Sequence, residues 1–168
     1  MQYASVRDKF RSGDLIAFTH KKWGSLYDLE IQVVRAGTQS EYSHVAGVIV
    51  FAGRVFIVES VVPVIRLVPL SNYAEEGFYW VPMNYEISNE ELEFSLSKVG
   101  KGQYSKWQAI KAQFRRLKIG EDDLWECAEF MIAAKRLSGI GLGDKATPSA
   151  VIEHVLQKYD TSVSLVKG

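Results

Sequence analysis

The chain contains one apolar stretch that decides the fold, Tyr42-Ser43-His44-Val45-Ala46-Gly47-Val48-Ile49-Val50-Phe51. It is rich in β-branched residues and has the length of a strand, which predicts a buried β-strand. The short turn Ala52-Gly53-Arg54 follows it, and a second apolar stretch fills residues 55–62. Two such stretches separated by so short a turn predict an antiparallel hairpin.

Three further strands are predicted in the first half of the chain. The turn signal Gly13-Asp14 precedes a candidate strand at residues 15–19. Residues 64–70 and 78–82 have the same apolar character, and prolines mark their ends. Together these segments predict a small, mostly antiparallel sheet or barrel.

The second half of the chain has the apolar spacing and the capping residues of helices. Ser88 and Glu91 stand in capping-box spacing at one helix start. Residues 104–118 are predicted to form a helix, or a helix and a loop, and Asp123 is the predicted cap of a helix that runs to about residue 137. Pro148 opens a last helix, whose apolar stripe comprises Val151, Ile152, Val155, Leu156 and Tyr159. The predicted fold class is therefore α+β, with the helices packed against the sheet.

Composition limits the functional classes. The chain has 168 residues, with 20 basic and 20 acidic side chains. A single domain over residues 1–168 is expected, and no net charge favours a nucleic-acid partner. The first residues lack the apolar stretch of a signal peptide, and the longest apolar run is far shorter than the ~18 residues of a membrane span. We therefore expect a cytoplasmic protein with no membrane span, although a phage-encoded protein or one exported by another route has the same features.

Cys127 is the one cysteine of the chain, so it has no partner for an intramolecular disulfide. It lies in Asp123-Leu124-Trp125-Glu126-Cys127-Ala128-Glu129-Phe130, which is typical of the first turn of a helix after a polar loop. The amides of a helix start favour the thiolate, the nucleophilic form of cysteine, whereas the neighbouring Glu126 and Glu129 oppose it. A buried, inert cysteine on an amphipathic helix has the same local sequence.

His44 and Glu59 provide the other two groups of a cysteine nucleophile site. The predicted hairpin brings a residue near 44 level with one near 61, so His44 and Glu59 are expected to be cross-strand or diagonal neighbours. The imidazole is then the general base, and the carboxylate holds it in one tautomer. Taken separately, each also has a simpler interpretation, as a hydrogen-bonded core histidine and as a glutamate at the exposed end of its strand.

Three more side chains are candidates for oxyanion stabilisation or substrate binding. Tyr42 shares a strand face with His44 and is predicted to donate its hydroxyl to an oxyanion, beside the Cys127 amide. His20 follows the first strand and is a candidate to line the cleft, and Tyr104 is a candidate to close it. The alternatives are packed tyrosines and a solvated loop histidine. No pair of histidines or cysteines has ligand spacing, so neither a metal nor another cofactor is predicted.

These residues resemble the circularly permuted branch of the NlpC/P60 papain-like superfamily, which includes the YiiX-like proteins and the group containing lecithin retinol acyltransferase. The matching segments are Gly13-Asp14-Leu15-Ile16-Ala17-Phe18, Tyr42-Ser43-His44-Val45-Ala46-Gly47-Val48, Val58-Glu59-Ser60 and Glu126-Cys127-Ala128-Glu129-Phe130, followed by Ala146-Thr147-Pro148-Ser149. The histidine precedes the cysteine, as in the permuted branch. The pair Trp125-Glu126 before the cysteine and the insertion at residues 21–41 depart from the family pattern.

The resemblance implies a papain-like α+β domain in which Cys127 is the nucleophile, His44 the base and Glu59 the residue that orients it. It implies a cysteine peptidase or amidase, a thiol hydrolase that cleaves an amide bond in a peptide, an isopeptide or an N-acyl amide through a thioacyl-enzyme. Its expected partner is a small peptide or acyl-amide substrate. Two alternatives stay open: a lipid-directed acyltransferase or acyl-amide hydrolase with the same triad, and a non-catalytic binding module on this fold.

Overall fold

The computed structural model describes residues 1–19, 42–61, 64–101 and 126–168. Its strands are β1 (Leu15–Phe18), β2 (His44–Phe51), β3 (Arg54–Val61), β4 (Val64–Pro69), β5 (Phe78–Val81) and β6 (Ser164–Val166). Its helices are α1 (Tyr3–Val6), α2 (Asn89–Ser97), α3 (Cys127–Leu137) and α4 (Pro148–Lys158). Two short 3₁₀ turns cover Arg7–Lys9 and Leu70–Tyr73.

The described strands form one antiparallel open sheet in the order β4-β3-β2-β1-β5-β6. The predicted hairpin is its centre, and Phe51 pairs with Arg54 across a two-residue turn. Both turn residues have positive φ, 49° at Ala52 and 69° at Gly53. This is the backbone that matches the twist of a tight hairpin, and glycine adopts it without strain. Arg54, predicted to lie in the turn, is instead the first residue of β3.

Each face of the sheet has its own apolar core. One core lies between the sheet and the helices, and its helical members include Ala128, Phe130, Met131, Val151, Ile152 and Val155. The other core is on the opposite face, where Val6, Phe10, Leu70 and Tyr73 pack against strand residues. The α+β class with an antiparallel sheet packed against helices is therefore confirmed.

Helix α3 lies close to strand β2 at a glycine. A β-carbon placed on Gly47 comes within 3.1 Å of the Met131 sulfur, so a larger residue there requires the Met131 side chain to shift by a few tenths of an ångström. The helix that carries Cys127 therefore packs closely against the strand that carries His44.

A buried ion pair fixes α3 from its other end. Lys135 is buried, and its Nζ donates to Glu91 Oε1 at 2.8 Å, to the Tyr85 hydroxyl at 2.8 Å and to the Gly13 carbonyl at 2.6 Å. Burial lowers the pKa of Lys135, and the Glu91 carboxylate opposes that change. These bonds join α2, α3 and the turn before β1, which holds the cysteine helix in one position.

The predicted N-cap residue is observed for α2 but not for α3. Ser88 caps α2 as predicted, with its Oγ accepting from the Glu91 amide at 3.1 Å. The predicted Asp123 cap of α3 is wrong, because the helix begins at Cys127 and its cap is Glu126. The Glu126 amide donates to the Glu129 carboxylate at 3.3 Å. The capping box of this helix is therefore formed by Glu126 and Glu129. Asp123 itself and the predicted helix at residues 104–118 lie outside the described residues.

The apolar stripe of α4 is narrower than predicted. Val151, Ile152 and Val155 are fully buried, whereas Leu156 is 39% exposed. At 3.6 residues per turn, Leu156 lies ~90° around the helix from the centre of the other three, which places it at the solvent boundary.

Candidate active site

His44 and Glu59 form a direct hydrogen bond across the central hairpin. His44 Nε2 lies 2.8 Å from Glu59 Oε2. The register pairs Gly47 with Val58, which puts His44 level with Val61 and makes Glu59 its diagonal neighbour on the same face. The proximity predicted from the hairpin is therefore observed.

The second carboxylate oxygen of Glu59 is also occupied. Glu59 Oε1 accepts from Arg66 Nε at 2.8 Å and from the Tyr73 hydroxyl at 2.5 Å. Arg66 also donates through Nη2 to the Tyr73 oxygen at 2.8 Å. Glu59 is 1% exposed, and these partners provide the compensation that a buried carboxylate requires. The alternative of an exposed glutamate at the strand end is wrong.

The partners of Glu59 keep its carboxylate ionised. Burial alone would raise the pKa of Glu59, but the hydrogen bond and charge of His44, the Tyr73 hydroxyl and the Arg66 guanidinium outweigh burial and lower that pKa. A charged acceptor therefore faces the imidazole at Nε2.

Cys127 is the first residue of α3 and is partly buried. Its side chain lies close enough to the His44 ring to raise the pKa of that ring, through its charge and through hydrogen bonding. Since Nε2 of that ring is engaged by Glu59, the nitrogen left for the sulfur is Nδ1. Sulfur, imidazole and carboxylate are thus neighbours in one site.

The sulfur and the imidazole come from opposite faces of the sheet. Cys127 packs against the core under the helices. The His44 ring lies 5.6 Å from the Phe18 ring, and Phe18 belongs to the opposite core. His44 is the first residue of β2, so its side chain stands at the end of that strand, where it interacts with Cys127.

The environment of His44 favours the imidazolium. Burial would lower the pKa of His44, whereas the charges and hydrogen bonds of Cys127 and Glu59 raise it, and the net effect is a pKa of about 10. The imidazole side chain is 19% exposed, so a substrate or solvent molecule can reach it. The geometry is suited to a thiolate–imidazolium pair held by a carboxylate.

The start of α3 also carries negative charge beside the thiol. Glu126 precedes Cys127, and the Glu129 carboxylate accepts from the Glu126 amide. These charges oppose the positive potential of the helix start.

Of the three other predicted site residues, the structure describes Tyr42 but not His20 or Tyr104. Tyr42 is buried at 7% exposure, and its ring packs edge-on against Tyr79 with centroids 5.5 Å apart. Its amide donates to Ser149 Oγ at 2.9 Å, so the segment before His44 is tied to α4. The predicted strand face shared with His44 is wrong, because Tyr42 precedes β2 and packs in the core under the helices, whereas the His44 ring lies against Phe18 of the opposite core. The oxyanion role of Tyr42 stays a prediction. His20 and Tyr104 lie outside the described residues.

Arg66 and Tyr73 were missed by the sequence reasoning. A signal for Arg66 was present, because antiparallel pairing of the neighbouring strands β3 and β4 brings Glu59 directly opposite Arg66, as observed. An arginine and a glutamate opposite each other in two apolar strands indicate an ion pair. Tyr73 lies in the 3₁₀ turn Leu70–Tyr73, and no local pattern connects it with Glu59.

The described residues do not fit a metal centre. Among residues 1–19, 42–61, 64–101 and 126–168, no group of three or more histidine, cysteine, aspartate or glutamate side chains is arranged to hold a metal ion. Both oxygens of Glu59 already accept from protein donors.

No helix within the described residues is long and apolar enough to cross a membrane.

Comparison with known proteins assigns the class of fold. No protein-family model matches the chain, and a search of the curated proteins finds no significant match. Solved structures do match, and one of them is described as the metalloprotein YiiX from Escherichia coli O157:H7. The two chains superpose with a TM-score of 0.57 at 17% identity, over 80% of this chain and 69% of the other. The fold is therefore YiiX-like, and at this identity the likeness concerns the fold alone.

Proposed function

We propose that this protein is a cysteine hydrolase of amide bonds, with Cys127 as nucleophile, His44 as acid and base, and Glu59 as the residue that orients the imidazole. The observation that carries the proposal is the position of His44, which contacts the Cys127 side chain and the Glu59 carboxylate at once. The order of histidine before cysteine and the YiiX-like fold support a place in the permuted NlpC/P60 branch.

The first half of the reaction forms a thioester. The Cys127 thiolate attacks the carbonyl carbon of the substrate, and a carbon–sulfur bond forms as the carbonyl π electrons move to oxygen. The His44 imidazolium then gives its Nδ1 proton to the leaving nitrogen, and the carbon–nitrogen bond breaks. The products are a free amine and an acyl group on sulfur.

The oxyanion requires hydrogen-bond donors at the start of α3. The Cys127 amide is one of the first four amides of the helix, which have no acceptor within the helix itself. It is therefore suited to donate to the developing oxyanion. Tyr42 remains the proposed side-chain donor, and its packing against Tyr79 makes it a rigid one.

The second half of the reaction returns the enzyme to its starting state. Neutral His44 takes a proton from a water molecule, whose oxygen attacks the thioester carbon. The carbon–sulfur bond breaks, which releases the acid and regenerates the thiolate beside an imidazolium. Glu59 stays ionised throughout and holds the ring in the tautomer and orientation that both halves need.

Peptide-like and lipid-like acyl probes that react with cysteine, read by mass spectrometry at position 127, test the proposal. Because Cys127 is the one cysteine of the chain, labelling is unambiguous. We expect labelling by the peptide-like probe and turnover of the matching peptide anilide. Cys127→Ala abolishes both, and Glu59→Gln slows both by at least about a hundredfold.

The outcomes separate the candidate functions. Preference for the lipid-like probe, with acyl transfer to an added alcohol or amine, replaces the amide hydrolase by a lipid-directed acyltransferase. Tight binding of a substrate without labelling or turnover, unchanged in Cys127→Ala, overturns catalysis in favour of a binding module.

A further inference from the structure

Two side chains outside the triad contact its carboxylate. Arg66 and Tyr73 both donate to Glu59 Oε1, while His44 contacts Oε2. Each oxygen of the carboxylate therefore has its own set of partners, which fixes the rotation of the carboxylate about its last bond. Because Arg66 and Tyr73 hold Oε1, Oε2 is the oxygen that faces the imidazole.

The donor and the acceptor can be assigned for each hydrogen bond among Arg66, Tyr73 and Glu59. An arginine side chain is always a donor, so in the 2.8 Å contact between Arg66 Nη2 and Tyr73 the phenol oxygen is the acceptor. The Tyr73 proton is then free to point at Glu59 Oε1, 2.5 Å away. Arg66 thus orients Tyr73, and both orient Glu59.

Arg66 is much more exposed than Glu59, its partner in the ion pair. It lies on β4, the edge strand of the sheet, directly opposite Glu59, and its side chain is 42% exposed. An ion pair with so exposed an arginine contributes little to stability. Its partner, however, is 1% exposed and contacts the imidazole, so a small displacement of the arginine changes the orientation of a group next to the sulfur.

We propose that Arg66 and Tyr73 are positioning residues of the active site, which act through Glu59 to hold the His44 imidazole in line with Cys127. This inference rests on the proposed function and extends it to a second set of side chains. Without these two donors, the carboxylate is free to turn, and the hydrogen bond from His44 Nε2 loses its fixed acceptor.

The test combines acylation rates with the titration of His44. The variants are Tyr73→Phe, which removes one hydroxyl, Arg66→Met, which removes the guanidinium, and Arg66→Lys, which restores the charge. Single-turnover labelling with the peptide-like probe gives the acylation rate. The His44 ring resonance, followed by NMR at acid pH, reports the protonation of Glu59, and the described groups around that carboxylate are His44, Arg66 and Tyr73.

We expect Arg66→Met to acylate about tenfold to a hundredfold more slowly than the wild type, with partial recovery in Arg66→Lys. In Tyr73→Phe, the inflection that reports Glu59 moves up by about one pH unit, because a donor to the charged form is lost. Arg54→Met is the matched control, since Arg54 is an exposed arginine of β3 that lies over the Phe56 ring. It leaves both readouts unchanged.

Wild-type acylation rates and an unmoved inflection in folded Tyr73→Phe and Arg66→Met overturn the inference. A slower rate without any change in the His44 titration also overturns it, because a general structural effect then accounts for the loss. If the wild type itself is not labelled, the proposed function fails separately, and the NMR titration still tests whether the two residues act on Glu59.

Discussion

Glu59 and His44 lie on adjacent antiparallel strands, one diagonal step apart, and their side chains meet with Oε2 2.8 Å from Nε2. This relationship follows from a two-residue turn, because the length of the turn sets which residues of the hairpin are level. It places a buried carboxylate behind an imidazole whose other nitrogen faces Cys127. The proposed reactivity of Cys127 therefore depends on the register of the central hairpin.

The protonation of His44 is expected to depend on the sulfur. In the wild type the ring keeps its proton up to a pH of about 10, because Cys127 and Glu59 outweigh burial. In Cys127→Ala the sulfur contribution is lost, so the pKa of His44 falls below the wild-type value. NMR titration of the assigned histidine ring resonances measures the difference. An equal pKa in the two proteins contradicts the contact.

We expect low pH to destabilise the folded protein in part through protonation of Glu59. The pKa of Glu59 is lowered by its partners in the folded protein, below the ordinary glutamate value of 4.5. Its ionised form therefore adds stability that is fully present above pH 4.5 and is lost as the pH falls through the folded pKa. Urea unfolding between pH ~2.5 and ~6 measures this. The free-energy difference between wild type and Glu59→Gln shrinks toward acid pH, and a difference that grows instead has the wrong sign.

Glu129 is expected to restrain the thiolate. Its carboxylate lies at the start of α3, where it accepts from the Glu126 amide. In Glu129→Gln the amide oxygen still accepts this bond, but the negative charge is removed. The rate of Cys127 alkylation at neutral pH then rises by less than about tenfold, the size of a helix-terminus charge effect. Glu153→Gln, an exposed change on α4, serves as control, and an unchanged rate in Glu129→Gln contradicts the prediction.

The buried pair of Glu91 and Lys135 is expected to control stability. Each side chain is 2% exposed in the 2.8 Å ion pair between α2 and α3. Removing one partner leaves a buried charge without compensation, so Lys135→Met lowers the free energy of unfolding by about 3–5 kcal/mol. The double variant Lys135→Met with Glu91→Leu loses less, because no charge is left unpaired. Urea denaturation checks both, and additive losses contradict the account.

The central part of the fold and of the site could be predicted from local patterns. Strand alternation and the short turn predicted the hairpin, and with it the approach of His44 to Glu59. The order of the chemistry-bearing residues and the helix start at Cys127 predicted that a thiol belongs to the same site. These features depend on neighbours in sequence or on one register.

The remaining features depend on tertiary contacts that no local pattern encodes. Strand β6 has three residues and pairs with β5, which is more than 80 residues earlier in the chain. Glu91 was expected to complete a capping box, but its carboxylate contacts Tyr85 and Lys135 instead. The burial of Lys135 is not encoded locally either, because its ion pair with Glu91 forms between two helices.

The most direct test of the account is the pH dependence of Cys127 alkylation in the wild type and in His44→Ala. A thiolate held beside an imidazolium reacts fast at neutral pH, with a rate that is nearly constant up to the region of pH ~8, and His44→Ala loses this neutral reactivity. A wild-type rate that rises only near pH ~8.5, the value of a free thiol, and is the same in His44→Ala contradicts the proposed pair.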